Sequence, residues 1–163
     1  MIAAAQVIFK NDKGDACLEW LLEQLRRQGV PCRRTEWRGY TTVVPQVLIA
    51  AQPVAFTIQI DADPEYVPDE IQELAEQAEP VLRPDVREGL AQCDTRLDVM
   101  SASSPNPQVT GNEIVVVAQT DLDPARPDVE QVLLVLATLT SGFVLDCVNN
   151  RIRAPEGIDW VQL

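Results

Sequence analysis

Two segments of the chain carry the same unusual string. Residues 58–69 read Ile58-Gln59-Ile60-Asp61-Ala62-Asp63-Pro64, three residues, then Pro68-Asp69. Residues 117–128 read Val117-Ala118-Gln119-Thr120-Asp121-Leu122-Asp123-Pro124, two residues, then Pro127-Asp128. Each joins a β-prone run to an apolar helical stripe through D-x-D-P. The Asp side chains suit a turn, and Pro followed by Asp suits a first helical turn. A looser third copy lies at residues 4–25, where a strand passes through Asn11-Asp12-Lys13-Gly14-Asp15 into a helix. Strand-to-helix steps of this kind restrict the chain to folds that layer helices on a sheet.

The rest of the pattern fits such a layer. Asp15 is positioned to cap a helix whose stripe is Leu18, Leu21, Leu22 and Leu25. Residues 32–38 read as a strand. Residues 40–51 are β-prone but interrupted at Pro45, which marks an edge or a bulge. Val54, Phe56, Ile58 and Ile60 alternate with smaller or polar residues, as in a strand with one buried face. Helices follow at Pro68, near Val86 and Leu90, and from Pro127 to about Thr140. Strands fall at 95–101, 113–119, 143–148 and 151–153, and the Ser- and Pro-rich stretch 101–112 reads as a loop. The expected class is α+β: an antiparallel or mixed sheet with helices on one face. It resembles the ferredoxin-like arrangement, with internal duplication into units 1–52, 53–101 and 113–154 of a single domain. That resemblance is to a fold and carries no activity.

The chain has 163 residues, with 25 Asp and Glu against 13 Lys and Arg, a net charge of -12, and no His. Such a charge opposes phosphate backbones and anionic lipid, so neither nucleic acid nor a membrane is an expected partner. Without His there is no Ser-His or Cys-His nucleophile pair and no imidazole metal ligand. Cys17, Cys32, Cys93 and Cys147 are widely spaced and read as free, buried thiols of a cytoplasmic protein. Arg outnumbers Lys 11 to 2, as GC-rich bacterial genomes favour. No glycine loop or nucleophile elbow is present, and no cofactor is called for.

The charges are unevenly placed. Residues 1–60 carry a net +2 and residues 61–163 a net -14. Eight acids and no base occupy residues 61–80. An acidic partner-binding face is therefore expected from Asp61, Asp63, Glu65, Asp69, Glu70, Glu73 and Glu76, joined by Asp121 and Asp123 if the repeats lie side by side. A basic patch of Arg33, Arg34, Trp37 and Arg38 is the alternative recognition surface. The helix over residues 128–140 is apolar almost all round, from Val129 to Leu139, and is either buried or a homodimer face. These features lead to a non-catalytic, cytoplasmic domain that binds a basic protein, in the manner of an immunity or inhibitor protein neutralising a bacterial toxin. The alternatives are an enzyme with a carboxylate site, with or without Mg²⁺, and a self-associating structural subunit. No residue is assigned a catalytic or metal-binding role.

Overall fold

The computed structural model describes residues 3–50, 55–101, 122–157 and 159–163, and the backbone of 108–110 and 113–115. In chain order the elements are β1 (Ala5–Phe9), α1 (Cys17–Arg27), β2 (Cys32–Arg38), β3 (Val43–Ile49), β4 (Phe56–Asp61), α2 (Val67–Gln77), α3 (Pro84–Ala91), β5 (Thr95–Ser101), β6 (Gln108–Thr110), β7 (Glu113–Val115), α4 (Pro127–Thr140), β8 (Phe143–Asp146), β9 (Arg151–Arg153) and β10 (Val161–Gln162). Eight strands form one sheet in the order β10-β9-β8-β1-β5-β4-β3-β2. Every pairing in it is antiparallel. β6 and β7 form a separate two-stranded ribbon.

The α+β class stands, but the helices do not share a face. α1 and α4 pack on one side, where Leu21, Leu25, Leu133 and Leu136 meet Val7, Phe56, Ile58, Leu97 and Val99. α2 and α3 pack on the other, where Ile71, Leu74 and Leu90 meet Ile8, Phe143 and Ile152. The reason lies in β1. Val7, Ile8 and Phe9 are consecutive and all buried, so the strand needs cover on both sides. Residues of β3 and β4 enter only the α1/α4 core, in keeping with the alternation of β4.

Pro45 lies within β3, an interior strand. It faces Glu36 of β2, and pairing of β3 with β4 begins only at Gln46. Its missing N–H thus falls where no ladder needs a donor. The β2–β3 hairpin consequently projects past β4, and Tyr40 and Val43 at its tip are exposed. Asp15 does not cap α1. It sits in a 3-10 turn over Gly14–Ala16, and α1 begins at Cys17 without a side-chain cap. Ser141 ends α4 in the left-handed region at φ 52°, and the Gly142 N–H donates to Ala137 O. The described part of the loop 101–112 includes strand β6.

The repeat holds as a local turn, and the strand of its second copy lies outside the described residues. Asp63 Oδ1 accepts the Glu65 N–H at 2.9 Å, and Asp123 Oδ1 accepts the Ala125 N–H at 2.9 Å. The Asp63 and Asp123 carbonyls receive the N–H of Tyr66 and Arg126, and Pro stands in the first turn of each helix. Yet Asp61 ends a strand of the main sheet, whereas β7 belongs to the separate ribbon. The remainder of the expected strand 113–119, with Asp121, lies outside the described residues.

α4 is covered by its own chain. Val129, Leu133, Leu136 and Ala137 are buried and Val132, Val135 and Leu139 pack half-buried against the same core. Among the described residues, no large exposed hydrophobic lies on this helix. Its apolar sequence therefore does not require a second copy. No helix among the described residues is long and apolar enough to cross a membrane. The four cysteines are unbonded, but only Cys17 is buried; Cys32 and Cys93 are intermediate and Cys147 is exposed.

Candidate functional site

Apart from Glu79, which lies 3.6 Å from Arg87 of α3, the acids of residues 61–80 divide into two sets. Arg96, on β5 opposite Asp61, holds the first. Its Nη2 donates to Asp61 Oδ2 at 3.1 Å, its Nη1 pairs with Glu70 of α2, and its Nε lies 3.2 Å from Asp98 Oδ1. The Arg96 side chain is 15% exposed. Asp98 also receives Gln6 Nε2 at 3.0 Å. Burial raises the Asp98 carboxyl above its ordinary pKa, against the lowering pull of Arg96. Asp61 and Glu70 thus tie α2 to the sheet.

The second set faces water. Asp63, Glu65, Asp69, Glu73 and Glu76 are exposed and have no ion pair among the described residues. Asp69, Glu73 and Glu76 fall at i, i+4 and i+7, so they share one face of α2. Asp69 in the first turn suits the helix dipole. Glu76 near the far end opposes it, and α2 has no basic residue in its last turn. Helix stability accounts for Asp69 and not for Glu73 and Glu76. At the head of the helix Tyr66 is 61% exposed, between Glu65 and Asp69.

Asp123 is elsewhere. Asn149, just beyond the end of β8, donates to Asp123 Oδ1 at 3.1 Å. Through the register Asp61↔Arg96, Ile8↔Arg96 and Ile8↔Phe143, Asp61 is level with the start of β8. The two Asp residues therefore occupy opposite ends of the sheet. The Ala125 N–H, then Asn149, hold the Asp123 carboxyl below its usual range. A shared carboxylate site for Mg²⁺ needed these pairs on one edge. Among the described residues, no cluster of three or more acids or cysteines is placed to hold a metal ion.

The basic patch is the outer strand of the sheet, since β2 is its edge. Arg34 pairs with Glu19 of α1, and Arg38 Nη2 with Glu36 Oε2 at 2.9 Å. Arg33 is exposed and has no ion pair among the described residues. Trp37 is half-buried and lies tight against the hairpin turn, where a Cβ at Gly39 would come within 2.6 Å of its ring.

Two groupings lie outside the candidate residues that the sequence singles out. Asp146 is fully buried and accepts from the N–H of Val148 (3.1 Å) and Asn149 (2.9 Å), from Asn149 Nδ2 (2.8 Å) and from Arg151 Nε (2.8 Å). The Arg151 guanidinium stacks 4.0 Å from the centre of the Trp160 ring, with Glu130 of α4 beside it. The turn string Asp146 to Arg151 was the available clue, because Asp and Asn are turn residues. The second is a cavity of about 580 Å³ where β1 ends, lined in part by Phe9, Trp20, Cys93 and Phe143. Lys10 and Lys13, the chain's only lysines, reach it. Asp12 and the Trp20 ring take up Lys13. Burial pushes the Cys93 thiol up to about 11, which keeps it protonated and a poor nucleophile near neutrality. No protein-family model, curated protein or solved structure matches this chain.

Proposed function

We propose that the chain is a non-catalytic protein-binding domain that meets a basic partner through the head and outer face of α2, as an immunity or inhibitor protein meets a cationic toxin. The observation that carries this reading is Tyr66. A large aromatic side chain stands exposed at the head of α2, in the stretch of chain that carries Asp63, Glu65, Asp69 and Glu73, none of which has a basic partner among the described residues. Aromatic anchors inside a charged rim are the usual energetic core of an interface. The rim would steer a cationic protein and the ring would hold it. Asp61 and Glu70 support the face from beneath, through Arg96, rather than touching the partner.

The test compares wild type with Tyr66→Ala and with Glu73→Gln/Glu76→Gln. Gln is close to Glu in helix propensity, and neither Glu is paired, so α2 should stay folded. Cross-linking in the native host, followed by mass spectrometry, identifies the bound protein. Binding rates are then taken at two ionic strengths. The expected partner is basic. Tyr66→Ala should speed its dissociation, and the double Gln variant should slow its association at low salt. Equal retention of the same proteins by all three forms would refute the reading.

A further inference from the structure

A second interaction surface follows from the ladder at the sheet edge, independently of the acidic face. In an antiparallel pair, hydrogen-bonded positions recur at every second residue. The Ala50 N–H donates to Pro31 O, and the Gly39 N–H to Thr42 O. These contacts bracket β2 and fix its phase. Arg33, Thr35 and Trp37 turn their main-chain groups toward β3. Cys32, Arg34, Glu36 and Arg38 turn theirs outward, at an edge where no further strand pairs among the described residues.

We propose that β2 pairs with β2 of a second copy of this chain, antiparallel, about a two-fold axis at Thr35. Only this register uses all four outward residues of both strands. It sets Arg34 opposite Glu36 of the second copy, and Glu36 opposite its Arg34. On the other face it sets Arg33 opposite Trp37, a guanidinium beside an aromatic ring. Residues directly opposite each other share a face and interact, so each of these pairs is favourable. A slip by one step in one direction brings Arg34 against Arg34. A slip in the other brings Glu36 against Glu36. Charges placed merely to keep an edge apart would repel in every register. Here they repel in the neighbouring registers and attract in one. The same surface patch serves both copies, as a closed two-fold interface requires.

The test is a charge exchange read by sedimentation velocity. Wild type should form a species of twice the 18.0 kDa chain mass. Arg34→Glu sets Glu against Glu at two symmetric places, and Glu36→Arg sets Arg against Arg. Each alone should weaken the dimer roughly thirty-fold. An equimolar mixture of the two variants restores an opposite charge at every position and should return the dimer. Recovery in the mixture shows that both variants are folded. A monomeric wild type at every attainable concentration would overturn the proposal. So would a mixture no heavier than its components, or a dimer that survives in both single variants. None of these outcomes bears on binding through α2, which lies on another part of the surface.

Discussion

Asp146→Ala should be among the most damaging substitutions in the chain, although it removes only a carboxylate. The side chain is fully buried and Arg151 beside it is 19% exposed. The loss separates into two parts. A charge-assisted hydrogen bond to Arg151 is worth about 2 kcal/mol, and its removal leaves the guanidinium mostly out of water with Glu130 Oε2 at 3.6 Å. The Val148 and Asn149 N–H groups lose their acceptor as well. Both residues are exposed, so water replaces part of that bond, and the cost is about 1 kcal/mol for the pair. The sum, about 3 kcal/mol, sits at the lower end of what breaking a buried ion pair costs, and is a large share of the roughly 5–15 kcal/mol that holds a domain together. Asp146→Asn should cost about 2 kcal/mol, because one amide oxygen cannot serve both the turn and Arg151. Asp146→Ala/Arg151→Met should recover part of the loss by removing the stranded charge. Urea unfolding provides the measurement, with the midpoint falling and the slope unchanged. A loss below 1 kcal/mol for Asp146→Ala, or wild-type stability for Asp146→Asn, would refute this account of the knot.

Other outcomes follow from single observations. Burial raises the Asp98 pKa in the folded state, so the fold holds that proton more tightly than the unfolded chain does. Its contribution to stability therefore declines as pH rises from about 3.8 through the raised value, and Asp98→Asn should remove that decline from a plot of Tm against pH. Asp123 has the opposite sign: its lowered pKa gives stability that is complete above about 3.8 and lost as pH falls, so Asp123→Asn should flatten the acid side of the same plot. Gly142→Ala places a Cβ 2.8 Å from the Ile8 carbonyl in the middle of the sheet, where the backbone has no room to yield; thermal unfolding should show a loss of about 1–3 kcal/mol.

Much of the secondary structure was legible because it rests on short-range chemistry. Strands over Cys32–Arg38, Thr95–Ser101 and Arg151–Arg153 and the end of α4 fall where alternation, proline and turn residues place them. The two-sided cover of the sheet was also written in the sequence, in the unbroken runs Val7-Ile8-Phe9 and Phe143-Val144-Leu145. Strands covered on one side alternate, and these do not. The distribution of the acids was not legible. Asp61 and Glu70 look like their neighbours in sequence, and only the pairing of β4 with β5 brings Arg96 beneath them. The D-x-D-P repeat misled for a related reason. A turn that feeds a helix is a local solution, and the chain uses it twice at opposite ends of the sheet. The Asp146 knot joins residues that sequence periodicity cannot connect, since Trp160, Glu130 and Asn149 meet only after β8 and β9 have paired.

The position of β1 sets the order in which this protein can assemble. β1 is made before the other strands of its sheet, yet it is an interior strand, and its two neighbours come from far along the chain: Ala5 pairs with Val99 on one side and with Asp146 on the other. At a synthesis rate of about 5–20 residues per second, the nearer partner follows roughly five to twenty seconds later. Until then Val7, Ile8 and Phe9 have neither strand beside them. The β2–β3–β4 meander, whose pairings are local, can form during that wait, whereas the centre closes last and at the greatest entropic cost of loop closure. Between the synthesis of β1 and that of β5 the chain thus carries three consecutive apolar side chains with no strand beside them, and their protection during that interval falls to whatever the nascent chain meets.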